Sequence, residues 1–264
     1  MDEPHASAPA APLSAAPATH KYKLTIAYDG TDFHGWQRQP GVRTVQGVIE
    51  DVARRVLREP LTVVGASRTD AGVHAVGQAA HLALARDLPA AAVQRALALR
   101  LPADVTVAAV EAVGAVFHAT RDARSKQYCY RIYADRARPV EQLAQRFAWH
   151  VWWPLDTERM RAAAELLIGR HDFVAFAGAG SPRLSTVRSV TRLDVRRVER
   201  EVRIEIEGDG FLYNQVRNMV GTLVEIGRGH WPPQHAGEIL AARDRRLAGP
   251  TAPPHGLCLM WVRY

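Results

Sequence analysis

Hydrophobic and polar residues alternate near the start of the chain and then change to a helical period. The alternation over residues 21–28 predicts a strand whose apolar face consists of Tyr22, Leu24, Ile26 and Tyr28. Thr44 can cap the helix that the next apolar spacing predicts over residues 45–58. The following patterns predict strands over residues 61–66, 77–84 and 105–113, and a helix over residues 88–99. The order is β-α-β-β-α-β.

The second half of the chain repeats this order of elements. Its patterns predict strands over residues 127–133, 187–198, 202–207 and 257–262, an extended piece around 147–152, and helices over 156–167, 211–226 and 234–242. This order is typical of split βαβ units. We therefore predict an α+β protein with two ferredoxin-like halves, whose antiparallel-rich sheets flank a central cleft. The predicted domains are residues 21–125 and 126–264, after a disordered Ala- and Pro-rich tail over residues 1–20.

The charge balance favours an anionic partner for this cleft. The 264 residues include 34 Lys and Arg against 27 Asp and Glu, a net charge of +7. Residues 1–20 contribute two acidic residues and no Lys or Arg, so residues 21–264 carry +9. A basic folded body makes nucleic acid the first candidate partner and predicts that the central cleft is basic.

Several classes of protein are disfavoured by what the sequence lacks. Cys129 and Cys258 are too few and too distant for a disulfide framework, which fits a reducing compartment. The first residues do not resemble a secretory signal, and no apolar run approaches the about 20 residues of a membrane span. There is no HExxH motif, Walker motif or strand-linked GxGxxG, so we expect neither a metal nor a nucleotide cofactor. A cytoplasmic protein without membrane attachment is expected.

The densest polar segment is residues 66–75, between two predicted strands. One interpretation is a connecting loop in which Asp70 forms an Asx turn and Gly72 supplies a positive φ. The other makes Asp70 a carboxylate nucleophile or base, with Arg68 two residues away. The spacing alone leaves both open.

Two further segments combine aromatic and hydrogen-bonding side chains of the kind that bind unpaired RNA. In residues 29–39, Gln37 and Arg38 are candidate RNA contacts, although Trp36 can equally fill core volume. In the strand over 127–133, Tyr128 can stack on a base, or the strand can be half-buried with ordinary aromatic packing. Composition does not separate these alternatives.

Arg217 lies inside a predicted helix that is apolar nearly all round. An unpaired charge in such a place is very costly, so Arg217 requires a carboxylate partner or a bound anion. Asp70 is a candidate partner.

These motifs together resemble the tRNA pseudouridine synthase A family. The resemblance is carried by the following segments: Tyr28-Asp29-Gly30, Gly35 to Gln39, Arg68 to Ala75, Phe117-His118-Ala119, the Tyr128 strand, His171-Asp172-Phe173, Phe211-Leu212, Val216-Arg217-Asn218 and Gly256-Leu257. It spans residues 21–264, and the RTDAGVHA segment is highly specific. The chain departs from the family pattern at Ser67, where Gly is usual, at Thr120-Arg121 and at Gln215.

The resemblance implies an isomerase that converts uridine to pseudouridine at positions 38, 39 and 40, in the anticodon stem-loop of tRNA. It implies that Asp70 is the nucleophile, that Arg68 helps displace the nucleotide, and that Tyr128 stacks on the uracil and takes part in proton removal at C5. Arg217 would pair with Asp70, and Leu257 would wall the uracil pocket. It also implies a homodimer that uses neither a metal nor an organic cofactor.

Two alternatives to an isomerase remain at this level. A non-catalytic RNA-binding or RNA-chaperone module would keep the basic cleft but would not need the complete set of Arg68, Asp70, Tyr128 and Arg217. A metal-dependent hydrolase would lose activity on addition of a chelator.

Overall fold

The computed structural model describes residues 19–178 and 185–264. The predicted tail over 1–20 therefore lies almost wholly outside the described residues. In the described part, ten strands are present: β1 (His20–Tyr28), β2 (Val64–Gly65), β3 (His74–Leu84), β4 (Val105–Val113), β5 (Ser125–Ala134), β6 (Trp149–Val151), β7 (Gly169–Asp172), β8 (Val187–Val198), β9 (Glu201–Gly208) and β10 (Leu257–Arg263). Six α-helices accompany them: α1 (Val45–Leu57), α2 (Ala90–Ala98), α3 (Gln142–Phe147), α4 (Thr157–Glu165), α5 (Gln215–Gly227) and α6 (His235–Ala242).

All ten described strands belong to one mixed sheet that is mostly antiparallel. Its order is β4-β1-β3-β10-β5-β9-β8-β7, with β2 paired to β3 and β6 paired to β5. Only the β3–β10 and β5–β6 pairs of the described strands are parallel. The last strand, β10, therefore lies between strands of the two halves, and the two predicted sheets are continuous.

The alternation predicted for the first strand is confirmed by burial. Tyr22, Leu24 and Ile26 are fully buried on one face of β1, and Lys21 and Lys23 are half-buried on the other. Lys23 forms an ion pair with Glu111 of the neighbouring strand β4, with 2.9 Å between Nζ and Oε1. Strand β9 has the same alternating pattern. The period of two therefore indicated the buried face correctly.

The predicted caps of two helices are also confirmed. The Thr44 hydroxyl accepts a hydrogen bond from the Gly47 N–H at the start of α1, and Arg58 ends that helix in the left-handed conformation with φ of 56°. The Asp156 carboxylate accepts from two N–H groups at the start of α4. Short polar side chains satisfy the first N–H groups of these helices, as the sequence predicted.

The strand predicted over residues 61–66 is shorter in the structure, since only Val64–Gly65 pairs as β2. Side chains of α1 form hydrogen bonds with the backbone groups of residues 61–63. Arg54 donates to the Leu61 carbonyl, and the buried Glu50 carboxylate accepts the Val63 N–H at 3.0 Å. These bonds replace those of a sheet, so this segment is extended without being a strand.

The helix predicted over residues 211–226 begins later, at Gln215. Asn214 precedes it in the left-handed conformation, with φ of 59°, and the Gln215 side chain accepts the Leu212 N–H. Every residue of α5 except Arg217 is buried, which confirms the prediction of a largely apolar helix around one arginine. The sequence did not predict the short helix α3 or strand β7.

Candidate active site

Asp70 lies in the loop between β2 and β3, against the other loop that the sequence singled out. Gly35 has φ of +84°, and a Cβ placed on it would lie 2.7 Å from the Thr69 carbonyl oxygen. The Trp36 N–H donates to that same carbonyl at 3.0 Å. A glycine is required here because the two backbones approach so closely. The two loops therefore form one continuous structure.

Arg217 reaches Asp70 from α5, 147 residues further along the chain. Its Nη1 lies 2.8 Å from Asp70 Oδ2, and the two side chains are only 15% and 21% exposed. The same guanidinium donates through Nε to the Ala252 carbonyl at 2.8 Å and through Nη1 to Asn214 Oδ1 at 3.1 Å. The structure thus brings together the predicted pair. The Asp70 carboxylate accepts one charge-assisted hydrogen bond, while the contacts with Ala252 and Asn214 fix the guanidinium itself.

The neighbouring chain segment approaches α5 closely enough to supply the Ala252 carbonyl. A Cβ on Gly221 of α5 would lie 1.8 Å from the Pro250 carbonyl oxygen. The glycine therefore lets residues 250–252 lie against the helix, where Ala252 also donates its N–H to the Arg217 carbonyl at 3.1 Å. Backbone packing thus positions one acceptor of the arginine.

Tyr128 projects from β5 toward the same loop. Its ring makes an edge contact with Phe211, with 5.4 Å between the centroids. Burial and, to a smaller extent, the nearby Asp70 charge raise the pKa of the Tyr128 phenol to about 12, against an opposing contribution from Ser67. The phenol is therefore neutral at physiological pH.

A second buried phenol lies under the loop. Tyr28 Oη and Thr69 Oγ1 are 2.8 Å apart, and both residues are buried. Burial raises the pKa of Tyr28 well above its usual range. Sequence reasoning placed Tyr28 on the buried face of a strand and in the Tyr28-Asp29-Gly30 segment of the family resemblance. Neither gave a signal of this contact with the residue next to Asp70.

Phe211 and Asn214 are further site residues whose local roles the sequence did not predict. Phe211 packs against Tyr128, and Asn214 shares the Arg217 guanidinium with Asp70. Both fall in the segment predicted as helix, so their irregular backbone was missed. Two signals were present: the Gly-Asp-Gly sequence just before Phe211, which favours an irregular backbone, and the Phe211-Leu212 segment of the family resemblance.

The other predicted site residues occupy different surroundings. Leu257 is buried at the first position of β10, in register with Tyr130 of β5. Arg68 is exposed, and its side chain makes no hydrogen bond or ion pair with any other described residue. It is therefore available to a ligand beside Asp70.

The side chains of Gln37 and Arg38 bind side chains of helix α1. Gln37 Nε2 donates to Gln46 Oε1 at 2.8 Å. Arg38 Nη1 forms an ion pair with Asp51 at 2.8 Å and a longer one with Glu50 at 3.3 Å. The structure does not join these two side chains to Asp70, and their role toward RNA stays a prediction.

Residues 19–178 and 185–264 contain no group of three or more His, Cys, Asp or Glu side chains arranged to hold a metal ion. Within the same ranges, no helix has the length and apolar character needed to cross a membrane.

Comparison with known proteins gives the family. The sequence pattern of the family described as tRNA pseudouridine synthase matches residues 24–121 and 163–264. The chain belongs to this family. It is 46% identical over 242 residues to tRNA pseudouridine synthase A of Syntrophotalea carbinolica, covering 92% of this chain and 95% of that protein. It is 44% identical over 244 residues to tRNA pseudouridine synthase A of Brevibacillus brevis, and the match covers 92% of this chain and 99% of that protein.

A third tRNA pseudouridine synthase A, from Paramagnetospirillum magneticum, is 46% identical over 245 residues, with 92% and 95% covered. Among solved structures, a chain of a Cbf5-Nop10-Gar1 complex matches with a TM-score of 0.33 and 12% identity, covering 90% of this chain and 57% of that chain. Nothing about this chain follows from so low a score.

The family pattern includes both members of the central ion pair. Asp70 and Arg217 lie in the first and second matched segments of this pseudouridine synthase family member, as do Arg68 and Leu257. Tyr128 lies in residues 122–162, between the matched segments.

Proposed function

We propose that this protein converts uridine to pseudouridine in tRNA, at positions 38, 39 and 40 of the anticodon stem-loop, with Asp70 as the nucleophile. The observation that carries the proposal is the partly buried Arg217–Asp70 pair, which joins two family segments at 2.8 Å. A carboxylate held by one arginine and two residues from a second, exposed arginine suits attack on a sugar beside a phosphate.

The reaction begins with the target uridine outside the helical stack, because its C1′ and C5 atoms are not accessible within a stem. Arg68 binds the displaced phosphate backbone, and Tyr128 stacks on the uracil, with Leu257 lining the pocket. The free energy of flipping, a few kcal/mol, is offset by these contacts.

Asp70 attacks C1′ as the N1–C1′ bond breaks, which gives an ester between the carboxylate and the sugar, and the freed uracil rotates within the pocket. C5 then bonds to C1′ as the Asp70–C1′ bond breaks and the carboxylate is released. C5 loses its proton to solvent and N1 gains one, so the overall change is an isomerisation. Tyr128 begins this step as a neutral phenol, since its pKa is about 12. Its place beside Asp70 puts a hydrogen-bonding oxygen near C5 of a stacked base.

We also propose that the sheet consists of two ferredoxin-like halves, which together enclose the basic cleft. The order β4-β1-β3-β2 in the first half supports this, because it is the strand order of a split βαβ unit. The proposed boundary is at residues 125 and 126, at the start of β5. The family resemblance supports a homodimer, and the tRNA substrate supports a cytoplasmic location.

The test is incubation of the purified protein with unmodified tRNA, followed by measurement of pseudouridine at each uridine. We expect pseudouridine from the wild type and none above background from Asp70→Ala. Asp194→Asn, which changes a carboxylate paired with Arg192 on β8, is the matched control and should retain activity.

Three results would contradict the proposal in different ways. Wild-type protein that binds tRNA but leaves every uridine unchanged would favour the non-catalytic RNA-binding module. Full activity in Asp70→Ala would remove Asp70 as the nucleophile while leaving the reaction intact. Modification outside positions 38–40 would overturn the assigned site on the tRNA.

A further inference from the structure

The backbone just before Asp70 is held by side chains from three other segments. Three consecutive carbonyl groups, those of residues 65–67, each accept a hydrogen bond from a different side chain. The bonds pair Thr120 Oγ1 with Gly65 at 2.8 Å, Lys126 Nζ with Ala66 at 2.7 Å, and Gln78 Nε2 with Ser67 at 2.8 Å. Successive carbonyls of an extended chain point in different directions, so one neighbouring strand cannot bind all three.

Gln78 forms the most enclosed of these contacts. It is fully buried on β3, and its amide bonds both backbone groups of Ser67. The Ser67 N–H donates to Gln78 Oε1 at 3.3 Å, while Gln78 Nε2 donates back to the Ser67 carbonyl. The side chain thus continues the pairing of β3 beyond β2, up to the residue before Arg68. Replacing the amide by an apolar group leaves both Ser67 groups without this partner.

Lys126 connects the loop to the strand that carries Tyr128. The two residues are two positions apart on β5, so their side chains extend from the same face. Lys126 Nζ binds the Ala66 carbonyl at 2.7 Å, and Tyr128 is close enough to Ser67 and Asp70 for both to shift the pKa of its phenol. A single strand therefore sets the distance between the loop and the proposed base-stacking ring. A hydrogen bond from an ammonium group is stronger than one between neutral groups.

We propose that Gln78 and Lys126 are positioning residues for the isomerisation, which hold the Asp70 carboxylate and Arg68 at a fixed place relative to Tyr128. The inference rests on the proposed function, since it assumes that Asp70 is the nucleophile. Neither side chain contacts the uridine in this scheme. Their effect is on the geometry of attack, where a displacement of about 1 Å costs on the order of a hundredfold in rate.

The test uses Lys126→Met, Lys126→Arg and Gln78→Leu in the full chain. Three quantities are measured: the single-turnover rate with unmodified tRNA, the Kd for tRNA, and amide hydrogen exchange over residues 66–71. We expect Lys126→Met and Gln78→Leu to lower the rate by about tenfold to a hundredfold, with Kd changed by less than about threefold. Exchange over the loop should be faster in both, and Lys126→Arg should restore rate and protection.

Gln94→Leu is the matched control. The Gln94 Nε2 also donates to a backbone carbonyl, that of Ala108, at 2.8 Å, but it joins α2 to β4. This variant should keep both the wild-type rate and the wild-type exchange of the loop. If Gln78→Leu does not fold, the result rests on Lys126→Met, since Lys126 is only half-buried and its replacement is better tolerated.

Several outcomes would overturn the inference. Unchanged rate and unchanged loop exchange in Lys126→Met would show that the contact does not position the loop. A higher Kd with an unchanged rate would make Lys126 an RNA contact, and a Lys126→Arg variant as slow as Lys126→Met would rule out a shared donor role. If the wild type forms no pseudouridine, the proposed function fails, and unchanged exchange would still separately refute the holding of the loop.

Discussion

At the scale of single residues, Arg217 shows how one side chain joins distant parts of the chain. Its guanidinium serves a carboxylate, a backbone carbonyl and a side-chain amide at once, contributed by Asp70, Ala252 and Asn214. A lysine carries the same charge but presents a single nitrogen, which cannot reproduce the planar fork. Binding all three acceptors therefore requires arginine, because a cation with a single nitrogen cannot reach them together.

Arg217→Lys is expected to lower the rate of pseudouridine formation by about tenfold or more. A lost charge-assisted hydrogen bond is worth about 1.5 to 3 kcal/mol, and about 1.4 kcal/mol corresponds to tenfold in rate. The single-turnover assay measures this, with Arg243→Lys as the control, since Arg243 also pairs with an aspartate, Asp172, but is itself 66% exposed. A variant at 217 with the wild-type rate would show that charge alone suffices.

His81 makes stability depend on pH. Burial, together with smaller contributions from the neighbouring His118, Lys21 and Arg121, lowers the pKa of His81 to about 4. Between the usual value of about 6.5 and that pKa, the unfolded chain binds a proton that the folded chain does not. Stability therefore falls as pH drops through this window, by about 3 kcal/mol from this residue.

Urea unfolding at pH 7.5, 5.5 and 4.5 checks this expectation. His81→Gln should flatten the loss of stability at low pH, because the titrating group is removed. His34→Gln, at an exposed histidine, is the control and should follow the wild type. Equal slopes in His81→Gln and wild type would contradict the assignment.

The ion pair between Asp70 and Arg217 could be predicted from sequence, whereas the contacts of Gln78 and Lys126 could not. A charged residue inside an apolar helix is easily recognised in the sequence. Because burying an unpaired charge is very costly, such a residue requires a carboxylate or another anion as its partner. Gln78 and Lys126 fall within strands, where polar residues are common and no pattern marks those whose side chains bind a loop. Their contacts depend on the tertiary approach of segments distant in sequence.

At the scale of elements, helix α1 acts on the segment that follows it. The buried Glu50 carboxylate accepts hydrogen bonds from the Val63 N–H and from Gln46 Nε2, each at 3.0 Å. The apolar residues in 61–66 predicted a strand. The local sequence pattern carries no information about hydrogen bonds from the side chains of a neighbouring helix, so it could not show that these bonds replace the pairing of a strand. The short β2 is thus a tertiary effect, and it leads directly into the Asp70 loop.

Glu50→Ala is expected to lower the free energy of unfolding by about 3 kcal/mol. The change leaves the buried Val63 N–H without a partner and removes the charge opposite Arg54. It also removes one of the two acceptors of Gln46 Nε2, the other being the Val63 carbonyl. Asp51→Ala, which removes an adjacent carboxylate that is 54% exposed, should cost about 0.5 kcal/mol or less. Chemical denaturation measures both, and similar losses in the two variants would contradict the role given to Glu50.

At the scale of the whole molecule, the sequence predicted the order of elements better than their assembly. The β-α-β-β-α-β pattern of the first half is present, but the pairing of β10 with both β3 and β5 joins the halves into one sheet. Strand β10 is the last element of the chain, and its period-two pattern does not specify its neighbours. The site depends on this closure, because the loop after β2 and the Tyr128 strand are brought together across it.

The net charge of +9 does not say which cations are available to RNA, since many arginines are bound to carboxylates. Arg131 and Arg203 share Glu201, whereas the Arg68 side chain makes no hydrogen bond or ion pair with another described residue. Location therefore decides which charges matter. The exposed guanidinium beside Asp70 is the one expected to replace a counterion on the tRNA backbone.

Arg68→Ala should weaken tRNA binding and flatten its dependence on salt by about one phosphate contact. The logarithm of the association constant falls with the logarithm of salt concentration by about 0.7 to 0.9 per neutralised phosphate, so the slope should decrease by that amount. Arg55→Ala, at an exposed arginine on α1, is the matched control and should leave the slope unchanged. Binding measured between about 50 and 200 mM salt gives both slopes. If the Arg68→Ala slope equals that of Arg55→Ala, the phosphate contact assigned to Arg68 is wrong, even if catalysis by Asp70 is retained.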